Sequence, residues 1–234
     1  DLNLGVKALT NKNLLVFPTE TVYGIGSVGN NKKAIKSIYL AKKRPFNNPL
    51  IAHTFNKKEA EKYVEFTETA HLLTQEFWPG PLTVILQTKK SKLSNTLSQG
   101  KSTLAIRVPS HPVALDLLEK INIPVLAPSA NKSGGVSPTS AQHSKDDFGP
   151  EFEGLGWKLE KVLDYGSCEI GIESTVVDCR WKNYYIIFEY ECEGDDFDVK
   201  YISLSTYNFK LIHMDSYNDD KFLTDTLLNI ILLP

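Results

Sequence analysis

The sequence is poor in cysteine and has none of the long apolar runs of membrane proteins. Its three cysteines, Cys168, Cys179 and Cys192, form no CxxC pair. An odd, unpaired count argues against a disulfide scaffold and favours a reducing compartment, so we expect a cytoplasmic protein. The apolar runs fall short of the roughly 20 residues that a membrane helix needs, and no signal-peptide pattern is visible. We expect no membrane contact; a mitochondrial form would follow if a targeting segment precedes Asp1.

Two common nucleotide-binding signatures are missing or incomplete. The pattern GxxxxGK[ST] does not occur, which argues against a Walker-type ATP site. Gly24 to Gly29 fit GxGxxG, but six residues separate Gly24 from the apolar run that ends at Phe17. A dinucleotide fold needs the first glycine at the strand end and an acidic residue about 20 positions later, which the next apolar run lacks. We therefore expect a glycine loop here and no Rossmann fold.

The composition is that of a globular protein, with 41% hydrophobic and 23% charged residues. The formal charge of −2 argues against a surface that is basic throughout, although it leaves room for a local basic face. Glu189 to Asp198 hold six acidic residues in ten. We predict one domain over residues 1–188, followed over 189–234 by an acidic linker and a C-terminal segment that ends in a helix, roughly Asp219 to Leu233.

Apolar runs typical of buried strands alternate with amphipathic stretches along most of the chain. This alternation predicts an α/β fold, and the rigid turn at Trp78-Pro79-Gly80-Pro81 favours a mixed sheet over a purely parallel one. We also expect a helix over Lys57 to Phe66, and an exposed loop over Lys89 to Lys101 because that stretch is polar and weakly periodic.

Polar side chains recur where the predicted strands and helices end. Thr19 follows the first strand, and Lys42 and Arg44 close the helix after it, either as a solvated helix end or as ligands of a polyphosphate. Arg107 lies in the apolar run TLAIRVP, so its guanidinium must leave the core or find an anionic partner, which a ligand carboxylate would provide. His53 is either a satisfied core histidine or a site residue.

Six ordered blocks of the sequence resemble the YrdC-like family of L-threonylcarbamoyladenylate synthases: PTETVYGIG, AKKRP with NPLIAH, WPGPLTVIL, LAIRVPSHP, APSANKSGGVSPT and GIESTVVD. The resemblance implies a twisted open mixed β-sheet with flanking helices and a concave active-site face. It also implies that L-threonine, bicarbonate and ATP, with Mg²⁺, give L-threonylcarbamoyl-AMP and pyrophosphate. That product serves the N6-threonylcarbamoyladenosine modification of transfer RNA, through a downstream threonylcarbamoyl transferase complex.

The resemblance also assigns site residues, each by the block in which it stands. The residues implied for ATP are Lys42, Arg44, Ser129, Asn131 and Ser137, with Lys42 and Arg44 also catalytic. The residues implied for L-threonine are Thr19, His53, Arg107 and Ser174. No protein ligands for a metal emerge from the sequence.

One departure and two alternatives stay open. Relatives usually carry an Arg-Pro-Gly turn after the STVVD block, whereas Phe188 or Glu189 stands where its nucleotide-binding arginine is expected. A non-catalytic relative that binds transfer RNA or double-stranded RNA is the first alternative, and its basic face would come from the lysines of residues 89–101 with Lys42 and Lys43. A carbamoyl-transfer module of the hydrogenase-maturation type is the second, although the metal-binding motifs of those longer proteins are not visible here.

Overall fold

The computed structural model describes residues 2–149, 159–180, 184–189, 199–205 and 208–211, with side chains over 2–149 and 162–180. Its helices are α1 (Leu2–Thr10), α2 (Lys32–Lys42), α3 (Lys57–Ala60), α4 (Glu68–Phe77), α5 (Lys92–Leu97), α6 (Pro112–Ile121) and α7 (Ala141–Phe148). Its strands are β1 (Leu14–Phe17), β2 (Gly24–Val28), β3 (Ile51–His53), β4 (Val64–Glu65), β5 (Leu82–Thr88), β6 (Thr103–Arg107), β7 (Val125–Leu126), β8 (Leu159–Val162), β9 (Thr175–Asp178), β10 (Tyr184–Glu189), β11 (Val199–Ser205) and β12 (Asn208–Leu211). None of the helices in these ranges is long and apolar enough to span a bilayer.

The strands form one open mixed sheet in the order β12-β11-β10-β9-β5-β6-β3-β7-β2-β1-β8, with β4 beside β5. The pairs β3–β6, β5–β9 and β1–β8 are parallel, while β1–β2, β5–β6 and the pairs from β9 to β12 are antiparallel. The α/β class and the mixed sheet predicted from the sequence are confirmed.

The apolar core divides into two clusters, one on each face of the sheet. Leu14 and Val16 of β1 belong to the larger cluster, and Leu15 and Phe17 belong to the smaller one. This alternation is expected because successive side chains of a strand point to opposite faces. Helices α2 and α7 contribute to the larger cluster, and α1 and α6 to the smaller one. Burial on both faces explains why β1 reads as a continuous apolar run.

The register of the central strands aligns four residues in a row across the sheet. Arg107 of β6 is paired with Thr83 of β5 on one side and with His53 of β3 on the other. His53 is paired in turn with Val125 of β7, which belongs to the smaller core cluster. Because laterally paired side chains share a face of the sheet, the row Thr83–Arg107–His53 lies on the face that carries the smaller cluster.

Three local predictions are wrong. The expected glycine loop is the buried strand β2, which pairs with β1. The helix predicted from Lys57 ends at Ala60, because Val64 pairs with Thr88 in the sheet as part of β4. The loop expected over Lys89 to Lys101 contains helix α5.

Tertiary packing explains the helix in that polar stretch. Ser91 caps α5 by accepting a hydrogen bond from the Ser94 N–H, and Leu97 is buried in the larger cluster. The domain boundary expected at residue 188 stays a prediction. Strands β11 and β12 lie beyond it and belong to the same sheet as the strands before it. Residues 190–198 and 212–234, with most of the expected acidic linker and the closing helix, lie outside the described residues.

The glycines of β2 serve close packing. A Cβ atom at Gly26 would lie 2.7 Å from Val125 Cγ1 and 2.9 Å from Phe17 Cε1, distances that real Cβ atoms do not show. At Gly24 the nearest atom would be 3.5 Å away, an ordinary contact. The sequence pattern that resembles a dinucleotide loop therefore reflects the approach of Phe17 and Val125 to the β2 backbone.

We predict that Gly26→Ala lowers the free energy of unfolding by about 1–3 kcal/mol, because the added methyl group overpacks the smaller cluster. Urea denaturation measures the change. Gly24→Ala, two residues away on the same strand, is the matched control and is expected to change stability by less than about 0.5 kcal/mol. Equal stability of the two variants would contradict the packing argument.

Candidate active site

The residues from Pro18 to Gly24 form a central segment to which two loops are attached. The first loop, residues 128–138, is held because Ala130 N–H donates to Tyr23 O at 2.7 Å and Tyr23 N–H donates to Pro138 O at 2.8 Å. The second loop, residues 164–174, is held at the other end of the segment, where Ile170 N–H donates to Glu20 O at 2.9 Å. The central segment therefore fixes both loops relative to the sheet.

Arg107 lies at the end of β6 and is 3% exposed. Its Nε–H donates to Gly80 O at 3.2 Å, its Nη1 to Thr21 Oγ1 at 3.0 Å, and its Nη2 to Glu20 Oε1 at 2.6 Å. The anionic partner expected for Arg107 is therefore the carboxylate of Glu20, in the same chain. Glu20 belongs to the central segment, so this ion pair joins that segment to the row of strand ends.

Glu20 is itself 4% exposed, and its second oxygen, Oε2, accepts a hydrogen bond from Ser110 N–H at 3.0 Å. Burial alone would raise the pKa of Glu20, but the charge and hydrogen bond of Arg107 and the backbone N–H groups lower it below its usual value. Glu20 was not among the site residues expected from the sequence. The available signal was a carboxylate in the same short polar segment as Thr19.

A chain of hydroxyl groups surrounds the ion pair. Thr19 Oγ1 lies 2.9 Å from Thr21 Oγ1, which accepts from Arg107, and Thr19 Oγ1 also donates to Val22 O at 2.6 Å. On the other side of Arg107, the hydroxyl groups of Thr83 and Ser174 lie 2.8 Å apart. Three of the residues expected to bind threonine, Thr19, Arg107 and Ser174, are therefore joined to one row through Thr21 and Thr83.

His53, the fourth of these residues, is beside Arg107 in the row and is buried. Its ring packs edge-on against Phe17, and its Nδ1 lies 3.2 Å from Ile51 O, to which an Nδ1–H tautomer donates. Burial and the positive charge of Arg107 lower the pKa of His53 to about 3. The imidazole is therefore neutral at physiological pH.

Lys42 is 1% exposed, although it lies in the last turn of α2. Its Nζ donates to Ser129 O at 2.7 Å, to Asn131 O at 2.5 Å and to Asn131 Oδ1 at 3.3 Å. Lys42 O also accepts from Ser133 N–H at 2.9 Å. Because the ammonium group has three N–H donors, these three oxygens match its full capacity. Lys42, Ser129 and Asn131 thus come together as expected, with Lys42 bound to the first loop.

The first loop is braced further by its own side chains. Asn131 Nδ2 donates to Lys132 O at 2.9 Å and to Gly135 O at 2.6 Å, which closes the loop on itself. Ser137 Oγ donates to Glu173 Oε1 at 2.5 Å, so the first loop also touches the second loop beside Ser174. Ser137 is therefore tied to the same loop that brings Ser174 to the row.

Arg44 directs its guanidinium towards the turn before β3. Its Nη2 donates to Asn48 Oδ1 at 2.5 Å and to Pro49 O at 3.1 Å. The ammonium group of Lys101 donates to Asn47 O in the same turn at 2.7 Å. Burial and the charge of Arg44 lower the pKa of Lys101, which indicates that two cations lie close together. From the sequence, Lys101 was grouped only with the lysines of the RNA-binding alternative and not with the ATP residues.

The two groups of residues lie near each other. Thr21 touches Arg107, and Gly24, three positions later, forms a β-bridge with Ser129. Three extended residues span at most about 11 Å and a bridge between paired residues adds about 5 Å, so the Ser129 backbone lies within about 16 Å of Thr21. The structure thus places the residues expected for threonine and those of the first loop at two ends of one short segment.

Two further points concern the nucleotide. Phe188 and Glu189, at the place of the expected arginine, belong to the backbone of β10, where they pair with Lys200 and Val199 of β11. Within the described part of the chain, no group of three or more His, Cys, Asp or Glu residues is arranged to hold a metal ion.

Comparison with known proteins assigns the fold and its loops to a family. The family model Sua5_yciO_yrdC, described as "Telomere recombination", matches residues 7–189. The chain belongs to the Sua5_yciO_yrdC family. The resemblance of its six sequence blocks is thereby confirmed.

Named members of this family are similar over most of the chain. The chain is 45% identical over 166 residues to the threonylcarbamoyl-AMP synthase of Pyrococcus abyssi, covering 70% of the chain and 46% of that relative. It is 43% identical over 172 residues to the Bacillus subtilis protein of the same name, covering 73% and 48%. The structure of P. abyssi Sua5 in complex with L-threonine matches with a TM-score of 0.72 and 40% identity, over 79% of this chain and 52% of that one. The chain thus spans about half the length of these relatives.

We predict that Lys42→Met lowers the free energy of unfolding by about 1–3 kcal/mol, because Ser129 O and Asn131 O lose a buried donor. Chemical denaturation measures this loss. Lys33→Met, at an exposed position of the same helix, is the control and is expected to stay within about 0.5 kcal/mol of the wild type. If Lys42→Met proved as stable as Lys33→Met, the ammonium group would not be holding the loop.

We predict that His53 makes the protein sensitive to acid. Its folded-state pKa of about 3 lies below the usual value of 6.5, so the unfolded chain takes up the proton first and stability is lost as the pH falls from about 6.5 towards 3. Between about pH 7.5 and about pH 5 the wild type should lose about 2 kcal/mol more unfolding free energy than His53→Gln. Equal losses in urea denaturation at the two pH values would refute this.

Proposed function

We propose that this chain synthesises L-threonylcarbamoyl-AMP from L-threonine, bicarbonate and ATP and releases pyrophosphate. The observation that carries the proposal is the buried Arg107, set among the hydroxyl groups of Thr19, Thr21 and Ser174. Its support from outside the chain is the similarity to relatives named threonylcarbamoyl-AMP synthase and to a Sua5 structure with L-threonine.

The amino acid binds at the row of strand ends. Arg107 has five N–H donors and uses three of them on Gly80, Thr21 and Glu20, which leaves one N–H on each terminal nitrogen for a carboxylate. Thr19 and Ser174 offer oxygens to the ammonium or hydroxyl group of threonine. His53, neutral at physiological pH, completes the pocket.

ATP binds between the first loop and the Arg44 turn. Ser129, Asn131 and Ser137 contact the nucleotide, and Arg44 neutralises charge on the phosphates. Lys42 acts through the loop, because its three donors are directed to loop oxygens. Lys101, beside Arg44, supplies a second positive charge to a site that lacks the usual arginine near Phe188.

The chemistry proceeds in two steps. The threonine nitrogen, after losing a proton, forms a bond to the carbon of bicarbonate, and water is lost to give a carbamate. A carbamate oxygen then bonds to the α-phosphorus of ATP, and the bond from that phosphorus to pyrophosphate breaks. Arg44 stabilises the charge that develops on the leaving group, so the protein contributes positioning and electrostatics.

The magnesium ion arrives as part of the substrate Mg–ATP, with phosphate oxygens and water as its ligands. The product passes to a threonylcarbamoyl transferase complex that modifies transfer RNA. Contact of this chain with transfer RNA or double-stranded RNA belongs to the same proposal, as does a cytoplasmic location.

The decisive experiment incubates the 234-residue chain with L-threonine, ¹³C-bicarbonate and Mg–ATP and analyses the products by mass spectrometry. We expect labelled threonylcarbamoyl-AMP and an equal amount of pyrophosphate, both lost when threonine or bicarbonate is omitted. Pyrophosphate release that continues when threonine or bicarbonate is omitted would refute the proposal. Salt-dependent binding of transfer RNA without threonine-dependent ATP consumption would favour the RNA-binding alternative.

The same assay tests the phosphate site. Arg44→Ala should raise the KM for ATP about tenfold or more, because one charge-assisted contact to phosphate is lost. Lys43→Ala removes the same charge one residue earlier, at an exposed position, and should leave the KM nearly unchanged. Full activity of Arg44→Ala at a low ATP concentration would show that Arg44 does not bind the ATP phosphates.

A further inference from the structure

We propose that Glu20 is a positioning residue that aligns the Arg107 guanidinium and cancels its charge, so that the pocket selects an amino acid in its zwitterionic form. This inference rests on the proposed function, which assigns the threonine carboxylate to Arg107. It adds a residue that the family motifs assigned to neither substrate in the sequence analysis, and it states a charge rule for the pocket.

The alignment follows from the way in which both partners are fixed. Arg107 is held at three points of its planar group, by Gly80 O, Thr21 Oγ1 and Glu20 Oε1. The Glu20 carboxylate is itself fixed, because its other oxygen, Oε2, accepts a hydrogen bond from Ser110 N–H. The backbone oxygen of Glu20 accepts a hydrogen bond from Ile170 N–H. The plane of the guanidinium, and with it the two remaining N–H donors, is therefore set before a ligand arrives.

The charge rule follows from the ionisable groups that face Arg107. Glu20 carries one negative charge because its pKa is lowered, and the pKa of about 3 keeps His53 neutral. Burial raises the pKa of Cys168, in the second loop, to about 11, so its thiol is neutral as well. Burial lowers the pKa of His111, which also faces Glu20. Arg107 and Glu20 therefore cancel each other's charge at neutral pH.

A pocket of this kind favours a ligand that presents both charges. A zwitterion gains hydrogen bonds from its carboxylate to the spare Arg107 donors, and its ammonium group meets the negative potential of Glu20. A carboxylate without an ammonium group makes the same hydrogen bonds, but it is repelled by Glu20 and gains no net attraction. Loss of the Glu20 charge should therefore alter which ligand binds, as well as how tightly it binds.

Another buried glutamate provides a matched control. Glu59 is 5% exposed, accepts a hydrogen bond from Tyr63 OH at 2.6 Å and is paired with Lys62. Its partners lie three and four residues along the chain, so its bonds are local to the region of α3. Glu59→Gln removes a buried, paired carboxylate as Glu20→Gln does, without touching Arg107.

The experiment measures dissociation constants by calorimetry on the 234-residue chain for three ligands: L-threonine, Mg–ATP and 2,3-dihydroxybutyrate, in which a hydroxyl group replaces the threonine amine. For Glu20→Gln we expect the Kd for threonine to rise about tenfold, which corresponds to about 1.4 kcal/mol. The Kd for Mg–ATP should stay within about twofold, and the preference for threonine over the amine-free analogue should fall about tenfold. Glu59→Gln should leave all three constants as in the wild type.

Two further variants keep the test decisive if Glu20→Gln does not fold. Glu20→Asp retains the charge and shortens the reach, so it should weaken threonine binding without changing the preference between the two ligands. Thr21→Val removes an acceptor of Arg107 and should weaken threonine binding in the same way. An unchanged ligand preference in folded Glu20→Gln, or unchanged threonine binding in Glu20→Asp and Thr21→Val, would overturn the inference.

The binding measurements and the product assay test the role of Glu20 and the proposed reaction separately. If the wild type binds threonine with the predicted ligand preference but forms no threonylcarbamoyl-AMP, the charge rule holds and the proposed reaction is wrong. If the wild type forms the product while Glu20→Gln behaves as Glu59→Gln does, the reaction holds and the role of Glu20 is wrong. If the wild type binds no threonine at all, both are wrong.

Discussion

The ion pair between Arg107 and Glu20 is the constraint on which the arrangement of the site depends. An unpaired charge in a protein interior costs several kcal/mol, so a guanidinium at the end of a buried strand requires a carboxylate from elsewhere in the chain. The central segment must therefore cross the strand ends at the height of Arg107. Once it does, its backbone groups are available to both loops, through Tyr23 for the first and Glu20 for the second. One electrostatic requirement thus positions Thr19, Thr21 and the loops together.

Lys42 is also a buried cation, but it is bound differently from Arg107, and the difference follows from the chemistry of the two side chains. A guanidinium distributes five donors around a plane, so Arg107 can be anchored and still keep donors for a ligand. An ammonium group has three donors, and those of Lys42 are directed to oxygens of Ser129 and Asn131. Under the proposed function, arginine therefore suits the position that binds threonine, and lysine suits the position that holds the first loop.

Local signals made part of this predictable. The apolar run ending at Phe17 and the proline after Arg44 predicted a strand end and a helix end that the structure confirms. The need of Arg107 for an anion was also readable, because TLAIRVP is apolar around it. Its partner was not, since Glu20 lies 87 residues away and strand register is a property of the folded sheet. The same limit explains Gly26, whose role depends on Val125 of another strand.

In the proposed reaction, the groups around Arg107 restrict how the threonine amine can lose its proton. A general base works best when its pKa is near the working pH. His53, with a pKa of about 3, is too weak a base, while the Cys168 thiol, with a pKa of about 11, is protonated at neutral pH. Glu20 is engaged by Arg107 and Ser110, and its lowered pKa makes it weaker still. If the chain catalyses the proposed reaction, none of these three residues is suited to accept the proton, and the protein contributes by holding the substrates in line.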